Sequence, residues 1–263
     1  MRHIAKQLLA LVLGMAVAVP GLARADSLSD VISRGKVRIG VNSGAPPFSI
    51  VDAKGNPVGY DVDTANLIGK YLGLPVEIVP YTTAARIPAL EAGKVDLVVA
   101  TLSPTPERAR TVQFTMPYST FQLVVIAPKS SSIKSVADLA GKKVGVSRGT
   151  PQEVALIRAA PKEAAITRFD DDSTTMQSLV SRQVDAVAIP ETVFTELLKA
   201  RPDIGFEPKF TFFNQFMSIA VRRDAPELRQ WLNTTISFIK QNGELDDISK
   251  KWTGKPLPQM PVF

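Results

Sequence analysis

The 263-residue chain has 31 Lys and Arg against 25 Asp and Glu, a formal charge of +6, with no Cys and a single His. Without Cys it forms no disulfide, thiolate metal site or cysteine nucleophile, and because its only His, His3, falls in a leader, Ser-His-Asp and His-ligated metal sites are excluded from the mature chain. Basic residues are scattered without a run or interleaved aromatics, so nucleic acid is not an expected partner; there is no P-loop or G-x-G-x-x-G, so no nucleotide or other cofactor is expected.

Residues 1–25 read as a signal peptide: Arg2 and Lys6, the apolar stretch Leu8–Val19, then Ala23-Arg24-Ala25 as an A-x-A cleavage site after Ala25. The apolar stretch is too short to span a bilayer, and nothing after it approaches the roughly 18 apolar residues that a membrane helix requires. Removing Arg2, Lys6 and Arg24 lowers the net charge to +3. A soluble protein exported to a Gram-negative periplasm is expected, and its length suits one large domain or two small ones.

The remaining chain reads as one α/β unit built twice. "GKVRIGVN" (35–42) is a β-branched strand after a Gly turn, and "GKKVGVSRG" (141–149) repeats it. "DVDTANLIGKYLG" (61–73) has helical periodicity ending at Gly. "IPALEAGKVDLVVA" (87–100) and "MQSLVSRQVDAVAI" (176–189) share an order of apolar helix, polar break, Val-Asp and buried strand, with Leu90, Val95 and Asp96 matching Leu179, Val184 and Asp185. Alternating strands and helices imply mainly parallel sheets, whose ligands bind beyond the carboxyl ends of the strands.

Those ends run into "NSGAPPF" (42–48), "TLSPTPER" (101–108), "SRGTPQE" (147–153) and Pro190-Glu191. In "TPER", Thr105 is a good N-cap and Pro106 suits the first helical position, which leaves Arg108 in a first turn that repels cations. "TPQE" reads as a capping box from Thr150 to Glu153. Asp170-Asp171-Asp172 precedes a helical segment and reads as N-capping rather than catalysis. The Pro-rich tail "GKPLPQMPVF" is expected to lie extended on the surface.

The segments "KVRIGVNSGAPPFS", "GNPVGYDVDTANLIGKYLG", "VADLAGKKVGVSRGTPQE" and "RIPALEAGKVDLVVATLSPTPERARTVQFTMPYS" resemble the periplasmic solute-binding proteins of polar amino acid ABC transporters, and the likeness covers nearly all of 35–254. It implies a two-lobed flytrap fold, each lobe a mainly parallel sheet flanked by helices, with two hinge crossings near Phe121–Val125 and Asn214–Ser218. Lobe 1 would comprise 26–122 and the return segment 217–263; lobe 2 would comprise 123–216.

The resemblance also implies a ligand site. Arg108 would grip the ligand's α-carboxylate, the alternative being a surface arginine paired with a neighbouring acid. Thr101 and Ser103 would complete the polar floor. Thr150 would serve as a cap, an anion contact or both, with Gln152 beside it in the first turn, where Pro151 removes an N–H that could meet the carboxylate. The acids that hold the α-ammonium in the family are replaced by Asn42 and Pro190, leaving Glu191 either as a substitute or as an ordinary first-turn acid. Where the family often has aromatics stand Ala45 and Thr83, while Phe48 survives. Thr83 and Arg86 match a subgroup that binds acidic amino acids, so Arg86 is read as a second carboxylate clamp or as an exposed helix-start arginine.

The resulting expectation is a periplasmic binding protein, without metal or cofactor, that captures a small carboxylate-bearing solute, an acidic or other polar amino acid or a dicarboxylate. It would act as a monomer and present its closed form to an inner-membrane ABC permease. The alternatives are a dehydratase-like enzyme of the same fold acting on a dicarboxylate, with Glu191 as its general acid, and a sensory ligand-binding domain.

Overall fold

The computed structural model describes residues 28–260; the signal-peptide reading and its cleavage site lie outside them. The first half contains α1 (Leu28–Arg34), β1 (Val37–Asn42), β2 (Gly44–Ala45), β3 (Ser49–Val51), β4 (Pro57–Val58), α2 (Tyr60–Leu72), β5 (Val76–Tyr81), α3 (Arg86–Glu91), β6 (Leu97–Val98) and β7 (Val112–Pro128). The second contains β8 (Lys143–Ser147), α4 (Pro151–Ala159), β9 (Ala165–Phe169), α5 (Asp172–Val180), β10 (Ala186–Pro190), α6 (Glu191–Ala200), β11 (Phe206–Arg222), α7 (Pro226–Gln241) and α8 (Glu244–Thr253).

The main sheet runs β5-β1-β6-β11-β7-β10-β8-β9, with β2, β3 and β4 forming a small second sheet. On each flank the pairs are parallel, β1 with β5 and β6, β8 with β9 and β10. At the centre lie two 17-residue antiparallel strands, β7 and β11, and the expected crossings face each other there, Phe121 opposite Gln215. Separate apolar cores form on either side. One gathers Ile39, Ile68, Leu97, Leu232 and Ile236; the other gathers Val124, Val187, Ile189 and Phe194 beneath one face and Val144, Val146 and Leu156 beneath the other. This is the two-lobed flytrap architecture.

The internal repeat extends to single atoms. Asp96 exchanges two 2.8 Å bonds with the backbone of Arg38, and Asp185 does the same with Lys143. Each Val-Asp acid therefore ties its own strand to the start of the unit's first strand. Asp96 in addition takes two arginines, Arg34 Nη1 and Arg38 Nη2, both at 2.7 Å. Helix α2 stops where its glycine predicts: Gly73 sits at φ 66° and its N–H bonds back to the Gly69 and Lys70 carbonyls.

Two local expectations need correction. "TPER" does not open an α-helix: Thr105 Oγ1 does accept the Arg108 N–H at 3.2 Å, but the chain then makes only a single 3-10 turn over Arg108–Arg110. So short a turn sums few peptide dipoles, which weakens the objection to a cation there. The Thr150–Glu153 box is also half formed. Thr150 Oγ1 accepts the Glu153 N–H, whereas the Glu153 carboxylate reaches past the cap to the Gly149 N–H at 2.6 Å and to Arg168 Nε. The described part of the tail is held by a 2.7 Å bond from the Leu257 N–H to Asp246 Oδ1, with Leu257 packed on the first core.

Candidate functional site

A tight cavity of about 10 Å3 lies where the carboxyl ends of β1, β5, β6, β8 and β9 converge. The first lobe supplies Asn42 from the end of β1, Thr83 from the loop after β5, Arg86 from the start of α3 and Thr101 from the loop after β6. The second supplies Thr150, Pro151 and Gln152 from the start of α4, and Asp172 from the first turn of α5. Phe121 and Gln215 close the back from the two hinge strands. At about 10 Å3 the cavity is near the smallest space that holds one water, so the two lobes are shut on each other with this polar lining drawn together.

Arg86 is its cationic group and is only 2 % exposed. Its Nη1 donates to the Ala100 carbonyl and, at 3.2 Å, to Thr101 Oγ1, while its Nε is buried without a partner among the described residues. Burial pulls its pKa down to about 10, opposed by the nearby Asp172 and Asp61 carboxylates. Thr101 is held in the left-handed region at φ 46°, a conformation that needs support from its surroundings. That support is Asp61, whose Oδ2 accepts the Thr101 N–H at 2.9 Å and whose Oδ1 accepts the Tyr118 hydroxyl at 2.7 Å. Burial pushes the Asp61 carboxyl up to about 7.

The three adjacent acids divide their work. Asp171 is the N-cap of α5, accepting the Thr174 N–H at 2.8 Å, as expected. Asp172 turns inward instead, is 5 % exposed, lines the cavity and accepts the Ser147 hydroxyl. Burial raises its pKa to about 6, against the pull of Ser147 and Arg86. Sequence reading missed this residue, because capping accounted for the whole cluster.

The remaining expected residues fall in two groups. Asn42, Thr83, Thr150 and Gln152 line the cavity, although Asn42 is spent on the scaffold: its Nδ2 donates to Thr83 Oγ1 and its Oδ1 accepts the Gly44 N–H, both at 3.1 Å. Phe48, Ser103, Arg108 and Glu191 lie outside the lining. Phe48 is in the first core against Tyr60 and Phe121. The Ser103 hydroxyl faces Met217 Sδ. Glu191 lines a groove behind the hinge, with Gln122, Asn214 and the tail residues Lys255 and Pro256. Arg108 sits at the rim, its Nη1 donating to the Ser103 carbonyl at 2.8 Å and its Nη2 to the Gly149 carbonyl at 2.6 Å. Burial and repulsion by Arg86 lower its pKa to about 9.

The lobes touch in this structure. Besides Arg108 and Gly149, the Thr83 N–H meets the Asp170 carbonyl at 3.3 Å, and a methyl group added to Gly44 would come within 2.5 Å of the Asp171 carboxylate. Among the described residues no group of acids and histidines is arranged to hold a metal, and no helix is long and apolar enough to cross a membrane.

Residues 37–255 match the family described as bacterial extracellular solute-binding proteins, family 3. The ABC transporter arginine-binding protein 1 of Escherichia coli is 32 % identical over 221 residues, covering 82 % of this chain and 90 % of that protein. The L-cystine-binding protein TcyJ of the same organism is 30 % identical over 247 residues, covering 93 % and 92 %. Among solved structures, the ancestral amino acid-binding protein AncCDT-1, a precursor of cyclohexadienyl dehydratase, superposes with a TM-score of 0.79 at 33 % identity, covering 86 % of this chain and 98 % of that one.

Proposed function

From the premise that this chain belongs to family 3 of the bacterial extracellular solute-binding proteins, we propose that it captures an amino acid in the periplasm for an inner-membrane ABC permease, working as a monomer. One observation carries the choice of ligand. Arg86 from one lobe and Asp172 from the other are buried in the same small cavity, and the Arg86 Nε has no partner among the described residues. A zwitterionic amino acid supplies the complement, its carboxylate to Arg86 and Thr101 and its ammonium to Asp172. The names of the arginine-binding and cystine-binding relatives support an amino acid over other solutes.

Closure has its reason in the same pair. A solute held by its carboxylate on one lobe and its ammonium on the other makes both contacts only when the lobes meet, so it favours the shut form by its differential affinity. The proposed lobes, 26–122 with 217–263 and 123–216, are supported by the sheet order, in which the β7–β11 pair separates two parallel flanks. Arg108 contributes from the rim by bridging to the Gly149 carbonyl rather than from the cavity floor. A dehydratase-like activity on a dicarboxylate is disfavoured by the position of Glu191, the acid expected to protonate the substrate, behind the hinge.

The test is calorimetry with L-amino acids and their deaminated counterparts, together with small-angle scattering. A binding amino acid that compacts the protein supports the reading. Preference for the deaminated acid, or binding without compaction, counts against it.

A further inference from the structure

The cavity also specifies which amino acids suit it, an inference that rests on the amino-acid reading above. Its lining holds two charged side chains, Arg86 and Asp172. A bound zwitterion uses both, one for each end of its backbone, and leaves no third charge in the described lining to answer a charged side chain. What remains unanswered is neutral. The Oε1 atoms of Gln152 and Gln215 are buried without partners, and both residues line the cavity at 4 % and 5 % exposure. Buried polar groups are almost always hydrogen-bonded, so two amide oxygens without a protein partner in one cavity call for a donor there, which the side chain of a bound ligand can supply.

Their placement is independent. Gln152 comes from the first turn of α4 in the second lobe, and Gln215 from hinge strand β11 opposite Phe121. The Gln215 side chain donates one long bond within the protein, 4.0 Å from Nε2 to Met217 Sδ. A carboxamide is uncharged, so it rewards a hydroxyl, thiol or amide on the ligand. It does little to offset the desolvation of a carboxylate or guanidinium. We infer that Gln152 and Gln215 form the side-chain subsite of this protein, and that it selects neutral, hydrogen-bonding amino acids over acidic and cationic ones.

Gln215 is the sharper probe, because it belongs to neither parallel flank. The experiment is calorimetric titration of the wild type, Gln215→Leu and Gln215→Glu with L-serine, L-cysteine, L-asparagine, L-glutamine, L-alanine, L-glutamate and L-arginine, with melting temperatures confirming that each variant folds. The wild type is expected to bind at least one of the four neutral polar amino acids tenfold or more tighter than either charged one. Gln215→Leu should weaken that ligand at least tenfold while changing L-alanine little, a difference between ligands that a structural defect would not produce. Gln215→Glu should improve L-arginine relative to the neutral ligands.

Tightest binding of L-arginine or L-glutamate by the wild type would overturn this inference and leave the amino-acid reading standing. So would equal losses for all ligands in Gln215→Leu. Failure of the wild type to bind any of the seven would overturn this inference, and failure across all twenty standard L-amino acids would remove the amino-acid reading with it. Should Gln215→Leu not fold, the relative gain or absence of gain for L-arginine in Gln215→Glu decides the point.

Discussion

Arg108 and Gly149 stand 41 residues apart in the chain and on opposite lobes, yet Arg108 Nη2 donates to the Gly149 carbonyl at 2.6 Å while Nη1 holds the Ser103 carbonyl. One guanidinium thus spans the cleft rim. A hydrogen bond from a charged donor contributes about 1.5–3 kcal/mol, and this one is made only when the lobes are shut. Arg108→Ala should therefore weaken every ligand by about ten- to a hundredfold, mainly through faster dissociation. Stopped-flow kinetics read this directly; an unchanged off-rate would show that the bridge does not hold the closed form. Arg108→Lys should recover only part of the loss, because an ammonium lacks the planar fork that reaches two carbonyls.

Arg86 acts inside the cavity, so its removal should be more costly. Truncating one partner of a buried charged contact costs about 2–5 kcal/mol, so Arg86→Ala should take a micromolar ligand to between tens of micromolar and a few millimolar, on the order of 30- to 4,000-fold. Asp172→Asn should discriminate between ligands, weakening an amino acid far more than its deaminated acid. Equal losses in calorimetry would remove Asp172 as the ammonium partner.

Proton linkage adds a separate test. Asp172 must be ionised to hold an ammonium, and burial raises its pKa to about 6. Affinity should therefore be level near pH 7.5 and fall as pH drops through 6, to about a tenth at pH 5. Asp172→Asn should remove this dependence. A wild-type affinity that is flat from pH 5 to 7.5 would contradict the assignment.

Asp61 makes the opposite demand on folding. Its carboxyl titrates near 7 in the fold against 3.8 as the unperturbed value, so the folded state holds its proton more tightly than the unfolded chain. Its stabilising contribution is complete below about pH 3.8 and is lost as pH rises through about 7. Urea midpoints for the wild type and Asp61→Asn should diverge across that window, with the wild type losing ground as pH rises. Parallel curves would show that Asp61 does not titrate there.

Closure can also be blocked without touching a ligand contact. Because a Cβ at Gly44 would lie 2.5 Å from Asp171 Cγ and Oδ2, Gly44→Ala should hold the lobes apart while leaving each core intact. Its melting temperature without ligand should be near the wild type's, with affinity down about fivefold or more by analogy with other small-to-large clashes of about 1–3 kcal/mol. Wild-type affinity would mean that the lobes do not approach so closely in solution.

Much of the fold was legible because its signals are local and repeated. The Val-Asp pairs, the glycine stop after Leu72 and the alternation of strands and helices each arise from a few neighbouring residues, and Asp96 and Asp185 make the same backbone contacts in both lobes. The site was less legible, because its members are chosen by contacts distant in sequence. Nothing in "DDDS" says that the third acid faces inward; the Ser147 hydroxyl on β8 and the phase of α5 decide it. Gln215 left a faint signal as a polar residue between Phe213 and Phe216, on the same alternating face as the buried Met217. Arg108 and Arg86 were both singled out, but which of them enters the cavity depends on α3 and on a carbonyl across the cleft.

The most direct test of the central claim is mass spectrometry of the small molecule released when freshly purified protein is denatured. Arg86 and Asp172 together predict a single L-amino acid, bearing both a primary amine and a carboxylate and returned unchanged after incubation with the refolded protein. A dicarboxylate without an amine, or conversion of the released solute to a dehydrated product, would contradict the account.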